Sequence, residues 1–126
     1  GYKPPLLGRS WVWGVTDCWS LVRDWYKQKK NIELRDWDRP TTPEEFILNP
    51  MFESCAYSTG FKELKPEEKT INGDLLFMSI GSPGLNHVAI FLDGDVLHHL
   101  RDRLSCREPY SQWLLKSTGG RYRYAA

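Results

Sequence analysis

His87-Val88-Ala89-Ile90-Phe91-Leu92-Asp93-Gly94-Asp95-Val96-Leu97-His98-His99-Leu100 decides the fold. Two largely apolar runs flank Asp-Gly, a pair suited to the positive φ angles that a two-residue hairpin turn requires. With Asp93 and Gly94 as the turn, counting outward pairs Leu92 with Asp95, Phe91 with Val96, Ile90 with Leu97 and Ala89 with His98. Directly paired side chains share a face, so His87, Ala89 and Phe91 lie with Val96, His98 and Leu100, while His99 points the other way with Val88 and Ile90. His87 and His98 become diagonal neighbours, roughly 7 to 8 Å apart at the backbone. Ala89 is small enough to leave room between the two rings. A one-residue slip would turn His99 inward instead, because side chains alternate with a period of two.

Other strands surround this hairpin. Asn72-Gly73 precedes the apolar run Asp74 to Met78, and Gly81 to Gly84 form a loop. A further strand is predicted around Arg103 to Arg107, and Arg121 to Tyr124 closes the sheet. The first half of the chain reads as helical. Cys18, Leu21, Val22 and Trp25 fall at i, i+3, i+4 and i+7, with Arg23, Asp24 and Lys27 on the opposite face, and Thr16 or Asp17 supplies the N-cap. Lys27 to Arg39 is helix end and loop. Thr42-Pro43-Glu44-Glu45 starts a second, short helix, with Thr42 as N-cap, Pro43 at the first helical position and Glu45 at the capping-box position. A third runs from Pro50 to about Tyr57, where Ser58-Thr59-Gly60 stops it. Helices first and strands afterwards predict an α+β domain in which N-terminal helices pack on an antiparallel sheet.

The 126 residues fit one domain, 1–126, with a single core and no need of disulfides or metals. The start at Gly1 leaves open that the chain is a fragment of a longer polypeptide. Six tryptophans, six tyrosines and five phenylalanines supply much of the core and leave rings to line a groove. A formal charge of +1, from 17 basic and 16 acidic residues, gives no field to gather nucleic acid or a membrane surface. No run of 18 apolar residues is present, so no membrane insertion is predicted. Three widely spaced cysteines, Cys18, Cys55 and Cys106, fit synthesis in a reducing compartment.

Chemistry enters at Cys18. At a helix start, amide N–H groups without carbonyl partners and the positive end of the helix dipole favour an anion, and so depress a thiol pKa. Cys18 is the candidate nucleophile, with packing as the competing reading, since free cysteine is among the most buried residue types. Cysteine-dependent acyl transfer needs a histidine base and a polar group to orient it. His87 is the candidate base and His98 the candidate orienter, with His99 as the alternative. Cys18, His87 and His98 could instead hold a metal, although no CxxC or HxxxH spacing supports one. No cofactor is implied. Cys55 and Cys106 read as packed thiols, and Arg101, Arg103 and Arg107 as an exposed strand face.

These pieces, in this order and spacing, resemble the NlpC-type papain-like cysteine peptidases of bacterial cell-wall metabolism. Gly8 to Gly14 resembles the family's aromatic lead-in, Asp17-Cys18 its nucleophile motif, Gly73 to Phe77 its first core strand, Asn86 to Ile90 its base-bearing strand, and Val96-Leu97-His98 the strand with its third polar residue. The likeness extends to the peptidase portions of lambda-like phage tail tips through Asp17 to Tyr26 and Leu97 to Leu100. It implies a papain-like fold, Cys18, His87 and His98 as catalytic residues, a peptidoglycan stem-peptide substrate, and other phage tail-tip proteins as partners. It also implies a place at the virion tail tip, after synthesis in the host cytoplasm. Trp19-Ser20 departs from the family's usual Ser-Gly, whose serine helps to hold peptide substrates.

Overall fold

A computed structural model describes residues 3–45 and 51–125. In chain order the elements are α1 (Cys18–Lys30), α2 (Phe52–Ser58), β1 (Phe61–Glu63), β2 (Leu75–Met78), β3 (His87–Leu92), β4 (Asp95–His98), β5 (Cys106–Pro109), α3 (Gln112–Ser117) and β6 (Thr118–Tyr124). The hairpin has the predicted register, from Leu92 opposite Asp95 to Ala89 opposite His98. Asp93 and Gly94 both take positive φ, 47° and 81°, as a type I′ turn demands. The Asn72 side chain clasps that turn, donating to Asp93 Oδ1 at 2.8 Å and accepting the Asp93 N–H at 2.7 Å.

The hairpin sits inside a six-stranded antiparallel sheet of order β1-β6-β2-β3-β4-β5. Alternation splits its side chains between two cores. Leu75, Phe77, Val88, Ile90, Leu97 and Tyr122 pack with Leu21, Val22, Trp25 and Tyr26 of α1 and with Phe52 and Ala56 of α2. On the other face Leu76, Met78, Ala89 and Val96 close over Leu114 of α3. Each fully buried side chain of this size contributes about 1.5 to 3 kcal/mol, so the larger core, which holds α1 against β3, dominates. Asp17, not Thr16, caps α1, and Asn31 ends it in the left-handed region at φ 55°. The papain-like α+β arrangement of helices on an antiparallel sheet is as expected.

Several boundaries differ from expectation. The strand predicted at Arg103 to Arg107 is β5, which begins only at Cys106, because a turn with Asp102 at φ 60° occupies the intervening residues. Arg101 and Arg103 therefore belong to the turn, and Arg107 alone of the three lies on the strand. β6 starts at Thr118 and lies between β1 and β2, so Arg121 to Tyr124 is interior to the sheet and does not close its edge. The third predicted helix, α2, begins at Phe52, two residues beyond Pro50. Of the second, the start is visible as a Glu45 N–H to Thr42 carbonyl bond of 3.2 Å, and the remainder lies outside the described residues. Short β1 and α3 were not anticipated. No helix among the described residues is long and apolar enough to cross a membrane.

Candidate active site

Cys18 opens α1, and the residue before it fixes that opening. Asp17 is buried and its carboxylate accepts from the Ser20 N–H (3.1 Å), the Ser20 hydroxyl (2.9 Å) and the Gly14 N–H (2.9 Å). Arg39, 22 residues away in the following loop, meets both of its oxygens, with Nε 2.6 Å from Oδ2 and a terminal nitrogen 2.9 Å from Oδ1. Burial alone would raise the Asp17 pKa, but the guanidinium and the amide donors outweigh it and hold the carboxyl below its ordinary value. The result is an ionised cap that ties the turn at Gly14, the start of α1 and the 31–40 loop together.

Trp19 lies on the core side of the same turn. It is 1% exposed, stacks on Trp37 with ring centroids 3.8 Å apart, and donates from Nε1 to the Arg35 carbonyl at 3.2 Å. The position that resembles a substrate-holding serine in the family is here a core position. Ser20 meanwhile is committed to Asp17 and Arg39.

The hairpin supplies the other half of the site. His87 Nε2 and His98 Nδ1 are 2.9 Å apart in a buried contact, and His98 Nε2 lies 2.7 Å from Glu108 Oε2 on β5. These contacts determine where the protons sit. A carboxylate only accepts, so His98 carries its hydrogen on Nε2; neutral His98 then offers a bare Nδ1, to which His87 Nε2–H donates. His87 is left with Nδ1 free to accept a proton. His99 takes no part in this chain: its Nε2 donates to the Arg103 carbonyl at 2.8 Å, while its buried Nδ1 has no hydrogen-bond partner at normal geometry among the described residues. The strand predicted at Arg103 to Arg107 stops one residue short of Glu108. Continuing the alternation from Val96 across the β4–β5 ladder, where Glu108 is its partner, would have found it.

Cys18 and His87 line one cleft of about 400 Å³, together with Trp11, Trp13, Asn86 and His99. Trp11 and Trp13 stack at 6.1 Å and form an aromatic wall. Asn86 is held by a reciprocal pair of bonds to Ile80, 2.8 Å to its N–H and 2.9 Å to its carbonyl, which sets the entry into β3. The backbone amides of Val88 and Trp19 act to lower the Cys18 thiol pKa. No hydrogen bond joins the thiol to either imidazole among the described residues; such contacts are often loose without substrate and tighten when it binds.

The thiol does not have the depressed pKa expected from its place at a helix start. Burial pushes it up to about 12 and the Asp17 carboxylate adds to this, outweighing the amide donors and Arg39. Burial also lowers His87 well below the ordinary histidine value, with His98 and His99 pressing the same way. Both shifts favour a neutral thiol and a neutral imidazole in the cleft that Cys18 and His87 line. Nor do Cys18, His87 and His98 make the metal-sized cluster weighed above: among the described residues, that proximity belongs to His98, Cys106 and Glu108.

The chain is similar to known proteins over nearly its whole length. The chain is 38% identical over 125 residues to the tail tip assembly protein K of Escherichia phage N15, covering 95% of this chain and 49% of that protein. It is 33% identical to the tail tip assembly protein K of Escherichia phage lambda, covering 98% of this chain and 61% of that protein. It thus spans about half to three-fifths of the length of these relatives. The NlpC/P60 family matches residues 8–123, nearly the whole described fold, and the chain belongs to that family.

Proposed function

We propose that this chain is the cysteine-peptidase domain of a phage tail-tip protein, cutting peptidoglycan stem peptides at a γ-D-glutamyl–diaminopimelate type of bond. Its place is the virion tail tip, among other tail-tip proteins, where it opens the wall locally or assists tail assembly. The observation that carries the reading is the His87–His98 contact at the wall of a cleft that Cys18 also lines.

In this mechanism Cys18 gives its proton to His87 Nδ1 as the sulfur attacks the scissile carbonyl, so charge develops only during reaction. The Cys18 backbone N–H, at the first helical position, donates to the forming oxyanion. His87 then hands the proton to the leaving amine. Water, deprotonated by His87, attacks the thioester and restores the thiol with release of the carboxylate. His98 holds the His87 tautomer, and Glu108 holds that of His98. Trp11 and Trp13 provide a wall for a sugar-peptide polymer.

The high thiol pKa, and relatives whose names speak of assembly, favour a second reading: a tail-tip protein that keeps the fold for assembly without catalysis. Incubating the domain with purified stem peptides, wild type beside Cys18→Ser, and reading products by mass spectrometry separates the two. Cleavage by the wild type alone supports the peptidase. Equal inactivity, with phage carrying Cys18→Ala assembling and infecting normally, supports the structural role.

A further inference from the structure

His98 has a second set of neighbours besides His87. In the β4–β5 ladder it stands directly opposite Cys106, and Glu108 follows two residues later on the same face. Donor atoms of His98, Cys106 and Glu108 all lie within 4.8 Å of one another. Glu108 Oε2 is 2.7 Å from His98 Nε2 and 3.6 Å from Cys106 Sγ. One nitrogen, one sulfur and one oxygen at this spacing form a donor set that suits zinc, which takes three protein ligands with water as the fourth. The cluster is reachable: Cys106 and Glu108 line a second cleft, of about 900 Å³, whose wall includes Ser10, Trp11, Leu100 and Arg103. Cys106 and Glu108 are both half-buried, whereas the His98 side chain is fully enclosed and fixed.

We propose that His98, Cys106 and Glu108 form a binding site for a zinc-class divalent cation, and that its occupancy switches off the base at His87. The second half rests on the peptidase reading; the first does not. Coordination uses the lone pair of His98 Nε2, the same atom that otherwise carries hydrogen toward Glu108. The His98 proton must then sit on Nδ1, where it donates to His87 Nε2, and His87 in turn must carry its own proton on Nδ1. That leaves His87 with no lone pair for the Cys18 thiol. Both imidazoles stay neutral with one proton each, and the single proton released comes from the Cys106 thiol as it becomes the thiolate ligand. The metal thus reverses the direction of the proton chain without moving a backbone atom.

Cobalt(II) alone, titrated into the otherwise intact chain carrying Cys18→Ser and Cys55→Ser to remove the two rival thiols, reads the site by its thiolate-to-metal absorption. One equivalent should saturate the band, zinc should displace it, and the affinity should weaken about tenfold per unit fall in pH while the thiol is protonated. Adding Cys106→Ser should abolish the band, whereas Glu108→Gln should keep it with at least about tenfold weaker binding. No band, or one that survives Cys106→Ser, overturns the site. On stem peptides, zinc should inhibit the wild type but not Cys106→Ser, each measured against its own metal-free rate. Equal inhibition of the two overturns the switch. Should no protein cleave the peptides, the peptidase reading fails while the cobalt result still stands or falls by itself.

Discussion

Two buried polar assemblies flank Cys18, and they are built differently. Asp17–Arg39 is an ion pair in which the acid is 1% and the arginine 7% exposed, with the carboxylate further satisfied by donors from Gly14 and Ser20. His87–His98–Glu108 is a chain of neutral rings that ends at a carboxylate 35% exposed to solvent. The first assembly fixes backbone: it has no freedom of protonation, and it decides where the nucleophile's helix begins. The second fixes the position of a proton, through tautomers that a change at its outer end can invert. Damage to the first should therefore appear mainly in stability, and damage to the second mainly in chemistry.

His87→Ala should have the largest effect, lowering stem-peptide cleavage by about 10³ to 10⁴-fold through loss of the general base, with little change in the denaturant midpoint. Arg39→Met leaves the buried Asp17 carboxylate without its counter-charge and should cost about 3 to 5 kcal/mol in urea unfolding. Little loss there would place Asp17–Arg39 outside the stability framework. Glu108→Ala removes the acceptor that sets the His98 tautomer and should reduce kcat about 10 to 100-fold with KM nearly unchanged. Partial recovery in Glu108→Gln, whose amide oxygen can still accept from His98, distinguishes positioning from packing; a change in KM alone contradicts the relay. The smallest effect concerns acid. His87, His98 and His99 all bind protons less readily folded than unfolded, so the unfolded chain gains protons first as pH falls below about 6.5 and stability declines from there. Melting temperature should drop between pH 7 and pH 5; an unchanged value would contradict neutral, buried rings.

How much of this was legible in the sequence depended on whether a local signal existed. Asp93-Gly94 specifies its own turn, and with it the register that joins His98 rather than His99 to His87. The spacing of Cys18, Leu21, Val22 and Trp25 likewise marked α1, although Trp19 also joins the core through its stack on Trp37. By contrast, the turn before β5 relies on Asp102 in a left-handed conformation, where no glycine announces it, so the sequence pattern puts the strand too early and ends it short of Glu108. β1 and α3 are three and six residues long, too short for periodicity to register. Arg39 had no local reason to be matched with Asp17, since the loop alone brings it there. The helix start that favours a low thiol pKa is visible in sequence, while the burial that outweighs it is not.

The proton arrangement itself is open to direct observation. Long-range proton–nitrogen NMR of the nitrogen-15-labelled chain at neutral pH, assigned with His99→Gln, reports which imidazole nitrogens carry hydrogen. Hydrogen on Nε2 and a bare Nδ1 in both His87 and His98 is the predicted result, leaving His87 poised to accept the Cys18 proton. Hydrogen on Nδ1 of His87 in the metal-free protein would contradict it.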